Sequence, residues 1–159
     1  MRKTLSEEME KLMEKDDRIW VLTADLGWGV FDKIRERFPE RFLNLGVSEQ
    51  AMIGIAAGMA YLGKIPFVYS ITPFLLYRPY EFLRILIDYD KANVKLIASG
   101  RDDDYSDHNF SHTSHEDKII VSTLHNIRSF YPQSPSEIPA LLSEVVNNIG
   151  PYYINIKRK

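Results

Sequence analysis

The chain has 159 residues, enough for one ordinary domain that buries a core without staples or metal. Its 20 Lys and Arg against 22 Asp and Glu leave a formal charge of -2, so no long-range field recommends nucleic acid or an anionic membrane as partner. The lack of cysteine excludes disulfides, thiolate metal sites and cysteine nucleophiles.

The opening stretch, MRKTLSEEMEKLMEKDD, is basic at its start and then amphipathic and acidic, with no apolar run of signal-peptide length. The apolar stretch 53–62 is interrupted and too short to span a bilayer. A cytoplasmic protein is expected. Leu5, Met9, Leu12 and Met13 share one stripe and predict a core-facing helix over 5–15. A strand is expected over 19–23, a helix over 30–38, and a short strand over 42–45. A helix over 48–62 leads to a strand over 66–70, then a helix over 79–89 and a strand over 94–99. The polar stretch 100–114, GRDDDYSDHNFSHTS, reads as a loop. A helix over 116–124, a strand over 127–130, a helix over 136–148 and a strand over 152–156 complete the chain. Ile138, Leu141, Leu142, Val145 and Val146 stripe the last helix.

Short β-branched runs alternating with amphipathic helices predict a three-layer α/β/α domain over 1–159, with a mainly parallel sheet of about six strands. Ligand-binding loops in such sheets gather at the carboxyl ends of the strands, which singles out 100–114 as a site region.

Residues 41–63, RFLNLGVSEQAMIGIAAGMAYLG, place a carboxylate where a strand stops and a helix begins. Glu49 in the first turn suits the helix macrodipole, and Ser48 is positioned to cap. Gly54, Ala56, Ala57, Gly58 and Ala60 give up the propensity of larger helix formers, which predicts a buried helix in close approach to other backbone. An acid at the mouth of a buried helix is desolvated, a condition under which carboxyl groups serve as proton donors and acceptors near neutral pH.

The string FPERFLNLGVSEQAMIGIAAGMAYLGKIPFV resembles the pyrimidine-binding domain of transketolases and 1-deoxyxylulose-5-phosphate synthases. The resemblance covers nearly the whole chain. Ala24-Asp25-Leu26 is similar to the family's Ala-Asp-Leu, and Arg2 opens the domain where transketolases often carry an arginine. Phe74-Leu-Leu-Tyr-Arg-Pro-Tyr-Glu-Phe-Leu-Arg84 and Ser111-His112-Thr-Ser-His-Glu-Asp117 resemble two further family motifs. In that family the glutamate at the Glu49 position hydrogen-bonds N1′ of the aminopyrimidine of thiamine diphosphate and promotes the tautomer that deprotonates thiazolium C2. The resemblance further implies that Phe74 stacks on the pyrimidine, with Tyr77 as a second aromatic candidate, and that Asp25 lies near the cofactor. His112 resembles the histidine of the substrate channel. His108, Arg101 and Arg2 are candidate substrate contacts. For each of these the plainer alternatives stand: core packing for the aromatics, a helix cap for Asp25, and a surface-loop imidazole for His112. A zinc arrangement of His108, His112 and His115 with Asp104 and Asp107 lacks the spacing of a common zinc motif, so no metal ligand is assigned.

Departures from the family are also plain. Ser106-Asp107-His108-Asn109 replaces the usual Gly-Glu-Asp-Gly run, and Gly100-Arg101 stands where an early loop histidine falls. Gly27-Trp28-Gly29 replaces a region that contacts phosphate through a serine. The Gly-Asp-Gly…Asn motif that holds diphosphate and Mg²⁺ or Ca²⁺ is absent, as is the family's third domain. The resemblance therefore implies a separate diphosphate-binding partner subunit, an α₂β₂ assembly, and a sugar or sugar-phosphate substrate in two-carbon ketol transfer. A β-type subunit of a thiamine-dependent 2-oxoacid dehydrogenase or decarboxylase, a non-catalytic interaction module and a small-molecule binding domain are the competing readings.

Overall fold

The computed structural model describes residues 1–158. Its six strands are β1 (Ile19–Thr23), β2 (Phe42–Asn44), β3 (Ile65–Ile71), β4 (Lys95–Ser99), β5 (Arg128–Phe130) and β6 (Tyr152–Ile156). They form one all-parallel sheet in the order β2-β1-β3-β4-β6-β5, so the six-strand α/β expectation holds.

Alternation along each strand builds two cores. Val21, Phe67, Tyr69, Ile97, Tyr152 and Ile154 face one side, where α1 (Arg2–Lys15) contributes Leu5, Met9 and Met13. Ile34 of α2 (Asp32–Arg37) joins them. Leu22, Val68, Leu96, Ala98 and Tyr153 face the other side, against Met52, Ile53, Ala56 and Ala57 of α3 (Glu49–Tyr61). The element α4 (Thr72–Leu76) follows β3 directly, and α5 (Tyr80–Phe82) runs on as π-helical turns over Leu83–Tyr89. α6 (Asp117–Ser122) lies on the α3 side, and α7 (Ile138–Asn147) packs against α1. Among the described residues no helix is long and apolar enough to cross a membrane.

The helix expected over 79–89 is thus only partly α-helical, and α4 was not expected. Pro73 suits a first helical turn, where its missing N–H costs nothing. The helix expected over 136–148 starts with a capping box made by Ser134 and Glu137. Ser48 does not cap α3. Gly46 turns at φ 68, and the Ser48 hydroxyl donates back to the Leu45 carbonyl at 2.7 Å. The Gly/Ala-rich helix is buried along one face only.

At the amino-terminal edge of the sheet the fully buried Lys95 ammonium donates to Asn93 Oδ1, Asn148 O and Gly150 O at 2.7–3.0 Å. Burial, and then the facing Arg128, pull its pKa down to about 7. The unfolded chain keeps that proton to about pH 10.5. Between these values the unfolded state binds more protons, so Lys95 makes stability rise with pH from about 7 towards 10. Urea titrations across that range should show the rise in wild type and a flatter profile in Lys95→Met; equal slopes would count against it.

Candidate functional site

The strand order reverses between β1 and β3, and the loops leaving β1, β2 and β3 carry Asp25, Glu49, Phe74 and Arg78 to the carboxyl edge around that crevice. Glu49 is the first residue of α3 and is 4% exposed. Arg78 Nη1 donates to its Oε1 at 2.6 Å. The same guanidinium lies over the Phe74 ring, 3.8 Å from its centroid. The Phe74 ring meets His112 edge-on with centroids 4.9 Å apart. Glu49, Phe74 and His112, far apart in sequence, are therefore brought together, with Arg78 as the link that sequence reasoning missed. A buried carboxylate needs such a partner, because an unpaired charge out of water is costly.

His112 sits in 100–114, which holds short 3₁₀ turns at Ser106–His108 and Phe110–His112. The loop is anchored at both ends. Gly100 has φ +90, and a Cβ there would fall 2.2 Å from the Tyr105 ring, so only glycine lets Tyr105 pack down on the strand end. Thr72 Oγ1 donates to the Gly100 carbonyl, and Tyr77 OH shares a 2.8 Å hydrogen bond with Ser114 Oγ. Tyr77 thus tethers the loop through its hydroxyl, and burial raises its phenol pKa above the usual value. Below the loop the buried Asp117 carboxylate accepts from Asn155 Nδ2 at 2.7 Å and from Tyr153 OH at 3.2 Å.

From His112 the site continues sideways. The His108 ring lies 5.3 Å from His112, and both approach Tyr105. Arg158, just past β6, stacks its guanidinium over Tyr105 at 4.6 Å, donates to Asp107 at 3.1 Å, and accepts from Arg2 Nε through its carbonyl. Arg158 had no signal in the sequence. Arg2 enters the edge through this contact.

One expected position falls elsewhere. Arg101 is buried, and its Nη2 donates to Pro132 O at 2.8 Å, so its guanidinium is directed to the end of β5. Asp25 caps no helix: it adopts φ 55, its amide donates to Asn44 Oδ1, and its carboxylate is exposed. Asn44 also accepts from the Gly46 amide and so ties the ends of β1 and β2, another role without a sequence signal. The zinc arrangement does not form: His108 pairs with Asp107 and His115 with Asp103, and among the described residues no three such groups gather.

Residues 1–159 match the family model for the transketolase pyrimidine binding domain. A putative transketolase C-terminal section from Methanocaldococcus jannaschii is 34% identical over the full length of this chain, which covers 51% of that protein. One subunit of the apulose-4-phosphate transketolase of Actinobacillus succinogenes is 33% identical over 78% of this chain and 40% of its own length. Among solved structures, a split gene transketolase described as an inactive β4 tetramer superposes with a TM-score of 0.87 at 32% identity, covering 99% of this chain and 51% of that one. The chain spans about half the length of the curated relatives it matches, or less. On the site just described and on these likenesses, the chain belongs to the transketolase pyrimidine-binding domain family.

Proposed function

We propose that residues 1–159 form one unit, the pyrimidine-binding subunit of a two-subunit, thiamine-diphosphate-dependent transketolase that moves a two-carbon ketol unit between sugars. The observation that carries this is the pair of contacts made by Arg78. A flat, cationic guanidinium stacks on Phe74 and donates to the buried Glu49 carboxylate. A protonated aminopyrimidine is also flat and donates from its ring nitrogen, so it makes the same two contacts once Arg78 withdraws. The residues present therefore fit the pyrimidine end of the cofactor. When bound, thiamine diphosphate supplies the electron sink for carbon–carbon bond cleavage.

This chain's own residues hold and orient the ring. Glu49 would present its carboxylate to the ring nitrogen, Phe74 would lie against the ring, and His112 would exchange a proton with a substrate hydroxyl. Asp25 faces the same edge. The chain brings no cluster of acidic ligands for a divalent ion among its described residues. Mg²⁺ and the diphosphate would be held by a partner subunit, in an α₂β₂ assembly. The surface of α3 supports a partner there. Ala51, Ile55 and Gly58 line its outer face at helical spacing and are exposed, as are Val47 just before the helix and Leu62 just after it. A Cβ on Gly58 would meet nothing within 4 Å, so nothing inside this chain calls for glycine at that position. Close approach of a partner backbone does.

Calorimetric titration of thiamine diphosphate with Mg²⁺ tests the proposed function. Tight binding is expected when the chain is mixed with a diphosphate-binding transketolase subunit from the same organism, and weak or no binding to the chain alone. Failure to bind in the mixture would overturn the proposal.

A further inference from the structure

Beside Arg158, on the same edge of the sheet, lies an open cleft of about 770 Å³ between the start of α1 and the loop after β1. Pockets of that size accept ligands far larger than a phosphate or a three-carbon sugar. Its most conspicuous wall is Trp28, which is 61% exposed. Gly27 and Gly29 flank it at φ 87 and 73, conformations that present the indole away from the core instead of packing it. The Arg35 guanidinium lies 4.5 Å from the ring centroid and braces it from one side. A large aromatic ring held out in this way at the border of a cleft is a stacking platform.

The charges of the cleft are unevenly spent. Glu10 is ion-paired with Arg37, Glu7 faces Lys3 at 3.9 Å, and Asp32 is engaged by Arg35 and by the Gly29 amide. Arg158 is held by Asp107. Among the described residues Arg2 and Lys33, both in the cleft wall, have no carboxylate partner. Arg2 donates through Nε to the Arg158 carbonyl and lies against the Tyr69 hydroxyl, both uncharged partners. The cleft thus offers one flat apolar face and two cations without a carboxylate partner among the described residues, a pattern that selects an anionic group linked to a ring.

We infer that this cleft binds a phosphorylated sugar carrying a second ring, with that ring stacked on Trp28 and the phosphate held by Arg2 and Lys33. The second ring is either a nucleobase, as in a nucleoside-diphosphate-linked sugar, or another sugar, as in a disaccharide phosphate. The inference rests on the proposed function in taking the cleft as the outer end of the Glu49 site. The run of contacts Phe74, His112, Tyr105, Arg158 and Arg2 joins the two. It makes Trp28 a specificity-determining residue that discriminates against small acceptors.

The chain contains two tryptophans, and Trp20 is part-buried in β1, so Trp28 reports on the cleft without any turnover. Emission is followed while uridine diphosphate glucose, trehalose 6-phosphate, ribose 5-phosphate or inorganic phosphate is added to the full chain. At least one of the first two is expected to change Trp28 emission and to bind tenfold or more tighter than ribose 5-phosphate; which one does so identifies the ring. Trp28→Phe should abolish the optical change while calorimetry still detects binding. Trp28→Ala should bring the two-ring ligand down to the ribose 5-phosphate level, and Arg2→Gln should weaken every phosphate ligand. Equal affinity for one-ring and two-ring phosphates would overturn the inference. So would no binding of either two-ring ligand by the chain or by the assembled enzyme, or an emission change produced only by the partner subunit. Thiamine diphosphate binding, measured separately in the mixture, shows whether the proposed function itself has failed.

Discussion

Glu49→Gln is expected to fold and assemble as wild type does, and to lose C2 deprotonation of thiamine diphosphate by a factor of roughly 10² to 10⁴. The substitution keeps the side chain's length and its Oε1 acceptor, so the Arg78 donor at 2.6 Å retains an oxygen to bond. The pocket leaves only 4% of the wild-type residue exposed, and the amide fills the same space. What changes is the response to a proton. A carboxylate accepts a hydrogen bond from a protonated ring nitrogen and strengthens it by charge, whereas an amide does so without charge and more weakly. Circular dichroism and gel filtration should match wild type, while hydrogen–deuterium exchange at C2, followed by proton NMR in the assembled enzyme, slows by the stated factor. Exchange within tenfold of wild type would sink the role given to Glu49.

Much of this architecture was legible because two periodicities carry it. The stripe of Leu5, Met9 and Met13 and that of Ile138, Leu141, Leu142 and Val145 both face the sheet. The β-branched and aromatic runs became strands within one or two residues of the expected limits. The element α4 escaped because a continuous apolar run with a proline, TPFLL, has no amphipathic period; it is buried almost throughout. The π-helical turns from Leu83 to Tyr89 escaped because their sequence is ordinary for an α-helix; we have no physical account of the wider turn. Positions of Glu49, Phe74 and His112 were readable from motifs. The interactions among them were not, because they join residues tens of positions apart through side-chain direction. Nothing in the string marks Arg78 for Glu49, which lies 29 residues earlier, or Arg101 for Pro132, 31 residues later. The open outer face of α3 escaped for a related reason: small residues signal close approach without saying whether the neighbour belongs to the same chain.

Arg78→Ala carries the second large effect, and its two consequences have opposite signs. In the chain alone the Glu49 carboxylate, 4% exposed, loses its only charged partner among the described residues. Leaving a buried acceptor unsatisfied costs about 1–3 kcal/mol. The guanidinium is itself 43% exposed and partly screened, which argues for the lower half of that range. In a chain of this size each kcal/mol lowers the melting temperature by about 2–4 °C. The same substitution vacates the face of Phe74 and frees Glu49, so the pyrimidine no longer competes with a resident cation. A ligand that binds only the open form gains apparent affinity in proportion to the open fraction, and roughly a threefold or larger tightening of thiamine diphosphate in the assembled enzyme is expected. The variant should therefore melt earlier without cofactor and show a larger cofactor-induced rise than wild type. Arg78→Lys separates the two contributions. It keeps a charge for Glu49 and so recovers stability, but it lacks the flat guanidinium that lies on Phe74, and its cofactor affinity should fall between the other two. Weaker thiamine diphosphate binding in Arg78→Ala would reverse the assignment: Arg78 would then hold the bound cofactor in place instead of occupying its seat beforehand.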